Sequence, residues 1–325
     1  GAAAHGGVSD ATPIDATAIA SGTEKAEGQE DLPRKKKPKW LPLESNPEIL
    51  NGFMQRVGVE GSFSFADVLG LEPDLLQYVP QPTLAVCLLF PSKAVRKPRL
   101  EALQGQEDAR RAPPSTFYLI QHKEFGNACG TIAAIHTIAN LAGSGGEGGV
   151  LPLKPDSPVK RFLSAARGLT PDAAGTALAE ASDLHEASEA AAKSEKAQTK
   201  TPGRDDKVDG HFVVFLEVEG HLVELDGCMG FPIDHGAITS GGLLEDAARI
   251  IRMEFMAQAP GNPNFSVMAL SPGSSSSSGA MLDIGNDYSV QIQSLTSMGF
   301  AEEQALEALQ AAGGNLDLAV SILCG

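Results

Sequence analysis

The sequence is short of cysteine, of positive charge and of long apolar runs. Its four cysteines in 325 residues lie far apart and never form a C-x-x-C pair, so neither a metal site nor a disulfide framework is predicted. Lys and Arg number 25 against 41 Asp and Glu, a net charge of −16, which argues against a broad phosphate-binding surface. No apolar run approaches the roughly 18 residues of a membrane span, and no secretory signal is recognisable. We therefore expect a cytoplasmic protein that binds neither nucleic acid nor membrane.

The first 39 residues show no apolar periodicity, which predicts a disordered leader over residues 1–39. The leader ends in the basic run Arg34–Lys39. Such a run is typical either of a nuclear-import signal or of a solvated charge cluster, and the residues alone do not decide between the two.

Order is predicted from Trp40 onward. Apolar residues at helical spacing after Asn46-Pro47 predict a helix. The continuous apolar run over residues 82–91 indicates a central strand buried on both faces. Further strands are predicted at residues 115–120 and 264–270, and the β-rich runs on either side of Glu219-Gly220 predict a hairpin.

The composition changes twice more along the chain. Between Leu163 and Thr201 it is rich in Ala, Glu, Ser and Lys, which predicts loosely packed helices and an exposed loop. Residues 273–285 are of Ser/Gly linker type, and three short helical patterns follow over residues 286–325. We therefore expect a main domain over residues 40–272, a linker, and a small three-helix bundle.

Cys129 is the candidate nucleophile. It follows the Gly126-Asn127 turn and stands where a predicted helix begins. The free N–H groups and the positive end of the helix dipole favour a thiolate there. Gly126 and Gly130 leave room for an approaching substrate backbone. A small buried cysteine at the start of a core helix is the alternative interpretation, and we favour the nucleophile.

His211 and Asp226 are the candidate base and orienting acid. In a tight hairpin around residues 218–220, Asp226 falls opposite or diagonal to His211, within reach of its imidazole. His136 lies in the same predicted helix as Cys129, about 10 Å along the axis, which is too far for a base. His235 with Asp234 is the fallback pair.

Gln121 precedes Cys129 by eight residues. Beside the Cys129 backbone N–H, its side-chain amide would supply an oxyanion donor for a tetrahedral intermediate. A surface glutamine is the alternative, and spacing alone leaves both open.

Residues 40–272 resemble the ubiquitin C-terminal hydrolases, which are papain-like cysteine peptidases. The resemblance is carried by the segments FADVLGLEPDLLQYVP, LLFP, GNACGTIAAIHTIAN, DDKVDGHFVVF and GHLVELDGCMGFPIDHG. It places the nucleophile at Cys129, the general base at His211 and the orienting acid at Asp226. The family's oxyanion glutamine normally stands six residues before the cysteine, whereas Gln121 stands eight before it. Either Gln121 reaches the site through a local insertion in HKEFGN, or the oxyanion hole is made differently.

The resemblance also implies a fold and a partner. The fold is α+β, with a central antiparallel sheet flanked by helices and a crossover segment, here at about residues 186–209, threading over the active site. The implied partners are ubiquitin and its adducts, bound by a monomer without cofactor or metal. Glu44 and Asp67 lie in blocks that match the ubiquitin-facing surface, and a solvated surface role is equally compatible with both.

The C-terminal segment VQIQSLTSMGFAEEQALEALQAAGGNLDLAVSIL resembles a ubiquitin-associated (UBA) domain. The resemblance implies a ubiquitin-binding patch that comprises the loop Met298-Gly299-Phe300 and Leu323. In the alternative interpretation these residues belong to the core of the bundle. We expect Leu295, Ala305, Leu309 and Ala319 to form that core instead.

The sequence as a whole predicts a deubiquitinating cysteine peptidase that forms a thioester acyl-enzyme at the C-terminal glycine of ubiquitin. Two other functions stay open at this point: a catalytically silent ubiquitin-binding adaptor, and a peptidase for a ubiquitin-like modifier.

Overall fold

The structure, a computed structural model, describes residues 39–273 except Ala109, together with seven positions nearer the C-terminus. The chain divides into two compact units, residues 1–272 and 273–325. The predicted leader and linker fall almost entirely outside the described residues, as do Met298 and Gly299. Among the residues that are described, no helix is both long enough and apolar enough to cross a bilayer.

A six-stranded antiparallel sheet forms the centre of the first unit, in the order β1-β6-β2-β3-β4-β5. The strands are β1 (Phe63–Asp67), β2 (Ala85–Pro91), β3 (Gly210–Val218), β4 (His221–Leu225), β5 (Ile233–Ala237) and β6 (Ser266–Pro272). The predicted α+β class with an antiparallel sheet is confirmed.

Helices cover both faces of the sheet. They are α1 (Pro47–Val57), α2 (Pro73–Leu76), α3 (Ser92–Leu103), α4 (Cys129–Ala142), α5 (Pro158–Ala166), α6 (Pro171–Glu180), α7 (Ser182–Ala192) and α8 (Gly242–Ile250). Short 3₁₀ turns occupy Lys123–Phe125 and Met256–Gln258, and a π-helical turn occupies Ile251–Phe255. Helices α1 and α4–α7 pack on one face, and α2, α3 and α8 pack on the other.

The central strands are buried on both faces, as the unbroken apolar run predicts. Along β2, Cys87 contributes to the core under α4, whereas Leu88 and Phe90 contribute to the core under α8. Along β3, Val214 and Phe215 divide between the two cores in the same way. Alternate side chains of a strand point to opposite faces, so a strand covered by helices on both sides needs apolar residues at every position.

Helix α1 begins where the sequence predicts. The Asn46 side chain accepts a hydrogen bond from the Glu48 N–H, and Pro47 occupies the first helical position. The apolar positions on one face are all buried: Ile49, Leu50, Phe53, Met54 and Val57.

Residues 115–120 are not a strand, contrary to the prediction. The segment runs beside α4 and bonds to side chains instead of to a neighbouring strand. The Phe117 N–H donates to the Asn140 side chain, and the Leu119 N–H donates to His136 Nε2. Polar side chains of helix α4 thus bond to backbone N–H groups that would pair with a neighbouring strand if the segment lay in a sheet.

Helices α5–α7 are better packed than their composition indicates. Leu178 and Leu184 are fully buried, and Ala191 and Ala192 lie in the same core as α4. The expectation of loose packing was wrong because alanines let helices approach closely, so fewer large side chains are needed to exclude water.

In the second unit Leu295, Ala305 and Ala308 are buried, whereas Phe300 and Leu323 are half-buried. The Phe300 N–H donates to the Leu295 carbonyl, and the Ala305 N–H donates to the Ala301 carbonyl. Leu295 and Ala305 are thus core residues as predicted, while Leu309 and Ala319 lie outside the described residues.

We predict that Leu88→Ala lowers the free energy of unfolding by about 3 kcal/mol, because a fully buried leucine leaves a cavity in the centre of the sheet. Urea unfolding followed by the fluorescence of Trp40, the single tryptophan, measures the stability of this unit. Leu69→Ala is the matched control. Leu69 is 83% exposed, and its variant should stay within about 0.5 kcal/mol of the parent. Equal losses in the two variants would contradict this description of the core.

Candidate active site

Cys129 is the first residue of α4 and is partly exposed. Its turn is tight: Gly126 has a φ of +68°, in the region that favours glycine. A Cβ atom on Gly130 would lie 3.1 Å from the Phe212 ring, so a side chain there would crowd the start of the helix against β3. Cys129 thus lies in the first turn of α4, where N–H groups have no partner inside the helix and the helix dipole favours a thiolate.

The β3–β4 hairpin brings His211 and Asp226 together. Its turn is Glu219-Gly220, with φ values of 51° and 79°, which is the geometry of a type I′ turn. Val214 lies opposite Leu225 in the register, so Asp226 is diagonal to His211. His211 Nε2 lies 2.7 Å from Asp226 Oδ1, and both side chains are more than nine-tenths buried.

The three groups form one electrostatic unit. Burial alone would raise the pKa of the Cys129 thiol, but the hydrogen bond and charge of His211 hold that pKa below its usual 9.0. Burial alone would lower the pKa of His211, but Asp226 and Cys129 raise it well above 6.5. Burial alone would raise the pKa of Asp226, but His211, the Cys228 N–H and Arg96 together hold that pKa below its usual value. These pKa shifts favour a Cys129 thiolate beside a His211 imidazolium.

Three further groups hold Asp226, and the sequence analysis named none of them. The Cys228 N–H donates to Asp226 Oδ1 at 2.8 Å. The Tyr118 hydroxyl lies 2.6 Å from the Asp226 carbonyl and 2.7 Å from the Met229 carbonyl. Arg96 on α3 donates to the Cys228 carbonyl at 2.9 Å. Of these three groups, only Cys228 could have been found from the sequence, because it lies two residues after Asp226.

Gln121 lies against the nucleophile turn. The residues between it and Gly126 coil into the 3₁₀ turn Lys123–Phe125, which takes up the extra chain length. Gln121 Nε2 donates to the Gly126 carbonyl at 3.0 Å, and the Gln121 N–H donates to the Gly227 carbonyl at 2.6 Å. The glutamine is thereby tied to the turns on both sides of the site, and its role as oxyanion donor stays a prediction.

The other histidines within the described residues have structural partners. His136 is buried, accepts the Leu119 N–H and stacks on Tyr118; burial lowers its pKa to about 4. The fallback pair of His235 with Asp234 is wrong. Neighbours along a strand point to opposite faces, and here Asp234 bonds to His221 whereas His235 bonds to Glu224.

The crossover segment predicted at residues 186–209 begins inside α7, and its irregular part, residues 193–209, passes beside the nucleophile turn. We call residues 193–209 the strap. The Asn127 side chain donates to the Asp206 carbonyl at 3.1 Å, directly linking the strap to the nucleophile turn. Lys39 Nζ lies 2.7 Å from Asp205, and Arg204 donates to the Lys39 carbonyl and pairs with Glu189.

The two residues predicted to face ubiquitin have different surroundings. The Glu44 carboxylate accepts the Gln198 N–H at 2.9 Å and the Thr199 hydroxyl at 2.5 Å, so it anchors the strap. Asp67 is exposed at the end of β1. Contact of either residue with ubiquitin stays a prediction.

Within the described part of the chain, one group of side chains has the spacing of metal ligands: His211, Asp226 and Cys228, whose ligand atoms lie within 4.8 Å of one another. His211 and Asp226 are already bonded to each other, and the Arg96 cation lies against Cys228. Like charge at that position disfavours a bound cation.

Comparison with known proteins identifies the family. Residues 40–257 match the family described as ubiquitin carboxyl-terminal hydrolase, family 1, and residues 288–323 match the UBA/TS-N domain. Ubiquitin carboxyl-terminal hydrolase isozyme L1 of Homo sapiens is 39% identical over 233 residues, covering 70% of this chain and 96% of that protein. A ubiquitin carboxyl-terminal hydrolase of Drosophila melanogaster is 38% identical, with 71% and 96% covered.

Among solved structures, the catalytic domain of Trichinella spiralis UCH37 bound to ubiquitin vinyl methyl ester has the same fold. The TM-score is 0.57 at 19% identity, with 74% of this chain and 98% of that chain covered. The family model and the curated relatives together assign the activity class. The chain is a member of the family-1 ubiquitin carboxyl-terminal hydrolases, which are thiol-dependent ubiquitin hydrolases, and it carries a UBA domain C-terminal to the hydrolase domain in the sequence.

Proposed function

We propose that Cys129, His211 and Asp226 act as a triad that hydrolyses bonds at the C-terminal glycine of ubiquitin through a thioester acyl-enzyme. The observation that carries the proposal is the placement of the His211 imidazole. Its Nε2 lies 2.7 Å from Asp226, and its interaction with Cys129 lowers the thiol pKa and raises its own. The base thus lies between the nucleophile and the orienting acid, which is the arrangement that covalent catalysis requires.

In the acylation step, His211 holds the proton that Cys129 has given up, and the thiolate attacks the carbonyl carbon of the terminal glycine. The C–S bond forms as the carbonyl π bond opens to an oxyanion. Collapse of this intermediate expels the amine, which takes the proton from His211. In deacylation, water gives a proton to His211 as its oxygen attacks the thioester carbonyl carbon. The C–S bond then breaks, which releases the ubiquitin carboxyl group and returns Cys129 as a thiolate beside protonated His211.

Oxyanion stabilisation is assigned to the Cys129 N–H and to Gln121 Nε2. The Cys129 N–H belongs to the first turn of α4, where backbone donors have no partner inside the helix. Gln121 Nε2 bonds to the Gly126 carbonyl in the free enzyme, and would exchange that acceptor for the oxyanion. A donor placed in this way contributes roughly 3–4 kcal/mol to transition-state stabilisation.

The strap restricts the leaving group. It is anchored through Glu44, through Lys39 and through Asn127, so a substrate beneath it must pass as an extended chain. We therefore propose short adducts and flexible tails as leaving groups, with ubiquitin's basic C-terminal tail drawn to an enzyme of net charge −16. The UBA domain supplies a second ubiquitin-binding surface around the Met298-Gly299-Phe300 loop.

We predict that Cys129→Ala abolishes cleavage of a fluorogenic ubiquitin C-terminal amide while leaving ubiquitin binding intact, because only the nucleophile is removed. Initial rates and equilibrium binding on the same protein preparation measure both. Cys87→Ala is the matched control. Burial raises the pKa of the Cys87 thiol, so this cysteine stays protonated and its loss should leave cleavage in place. Turnover by Cys129→Ala near the parent rate would contradict the assignment.

We predict that Gln121→Ala lowers kcat roughly 100-fold with little change in KM, because the oxyanion exists only in the transition state and the intermediate. Steady-state kinetics with the same amide measures kcat and KM separately. Gln198→Ala is the control, since only the backbone N–H of Gln198 bonds to Glu44. A Gln121→Ala variant with parental kcat would leave oxyanion stabilisation to backbone donors alone.

For the second surface, we predict that Met298→Ala with Phe300→Ala weakens ubiquitin binding roughly tenfold or more, because anchor residues dominate such contacts. The full chain is first blocked at Cys129 with a ubiquitin that carries a C-terminal electrophile. Binding of a second, free ubiquitin is then measured. Gln304→Ala, at an exposed position, is the control. Unchanged binding in the double variant would place these side chains in the bundle core.

A further inference from the structure

Helix α3 contacts strand β4 and the turn after it through two arginines that are three residues apart, and therefore on one side of the helix. Arg99 forms two hydrogen bonds of 2.8 Å with the carboxylate of Glu224. Arg96 donates to the Cys228 carbonyl at 2.9 Å. Glu224 precedes Asp226 by two residues, and Cys228 follows it by two, so α3 holds the chain on both sides of Asp226.

We propose that Arg96 is a positioning residue of the triad, which holds Asp226 against His211 by fixing the turn 226–228 and by placing a positive charge beside it. The inference rests on the proposed function, because it concerns how the same triad is held.

The contacts run in an unbroken series from the arginine to the base. Arg96 Nη2 bonds to the Cys228 carbonyl, and the Cys228 N–H bonds to Asp226 Oδ1 at 2.8 Å. The same Oδ1 is the atom that lies 2.7 Å from His211 Nε2. A rotation of the turn would therefore move the oxygen that orients the imidazole.

The helix that carries Arg96 is itself held in register with the base. The Ser92 N–H donates to the Asp209 carbonyl, and the Lys93 N–H donates to the Asp209 carboxylate at 2.9 Å. Asp209 lies two residues before His211. The first turn of α3 is thereby joined to the start of β3, while Arg96, one turn further on, reaches the turn after β4. The helix spans the two chain segments whose separation sets the distance from His211 to Asp226.

Charge gives Arg96 a second effect. The ionisable groups that interact with Asp226 come from every element around it: His211, Arg96, Cys228, Cys129, Tyr118 and His136. Burial raises the Asp226 pKa, His211 lowers it most, and Arg96 lowers it further. Arg96 also interacts with the charge of Cys129. Without the guanidinium, the pKa values of both acids rise, and the ionised triad forms at higher pH.

The experiment compares Arg96→Met with Arg96→Lys in the full chain. Methionine keeps much of the apolar stem and removes the charge and the donors, whereas lysine keeps a charge and a donor. Lys97→Met is the matched control, because the Lys97 side chain is 84% exposed and pairs with its helix neighbour Glu101. For each protein, kcat and KM for the fluorogenic ubiquitin amide are measured across the pH range, together with the unfolding temperature.

In Arg96→Met we expect the acid limb of kcat/KM to move to higher pH by roughly 0.5–1 unit. At a pH below that limb, kcat/KM then falls roughly 3–10-fold, with KM little changed. The acid limb of Arg96→Lys should lie close to the parental pH, and that of Lys97→Met should lie at the parental pH. A parental pH profile in Arg96→Met would overturn the proposal, whether or not its unfolding temperature falls. So would an equal shift in Arg96→Met and Arg96→Lys.

A second measurement does not depend on turnover. The rate at which iodoacetamide alkylates Cys129, followed on the Cys129 peptide by mass spectrometry, reports the thiolate directly as a function of pH. We expect the midpoint in Arg96→Met to lie above that of the parent, and an unshifted midpoint would contradict the charge effect. If the parent chain cleaves no ubiquitin amide, the proposed function fails, and the alkylation profile still decides the role of Arg96.

Discussion

The bond between His211 and Asp226 is the interaction on which the arrangement of the site depends. Two ionisable groups are taken out of water on a hairpin whose turn is only two residues long. Burial works against the charged form of each, so neither would keep its charge alone. Because they are paired, the imidazole can hold a proton at neutral pH and stabilise the thiolate at the start of α4. The tight Glu219-Gly220 turn matters because it sets the register that makes the pair.

A sheet covered by helices on both faces explains why so many charged groups in this protein are buried and paired. Glu224 is completely buried on β4, and burial would raise its pKa, yet Arg99 and His235 lower it to about 2. Arg99 in turn bonds to Glu254 and lies over the Phe255 ring at 3.7 Å. Glu224, the centre of this network, lies on the strand that leads directly into Asp226. Removing one partner would leave an unpaired buried charge, which is why such networks tolerate little movement.

The elements that local sequence determines were predictable, and those that depend on distant residues were not. Helix α1 has its own cap and apolar face, and the β3–β4 hairpin has its own turn, so both could be read from short windows. Residues 115–120 have the composition of a strand, but Asn140 and His136 of a separate helix take their backbone bonds. The candidate nucleophile, base and acid could be predicted from the hairpin register and the helix start, whereas Arg96 lies more than a hundred residues from the turn that it contacts.

Residues 39–44 contact both the strap and the nucleophile turn. The Trp40 N–H donates to the Phe125 carbonyl at 2.8 Å, Lys39 pairs with Asp205, and Glu44 binds the strap again at Thr199. The first described residues of the hydrolase domain therefore contact both segments. Whatever pulls on, displaces or is fused to the chain just before Lys39 therefore bears on the strap and on the nucleophile turn, and an affinity tag at that junction is not a neutral addition.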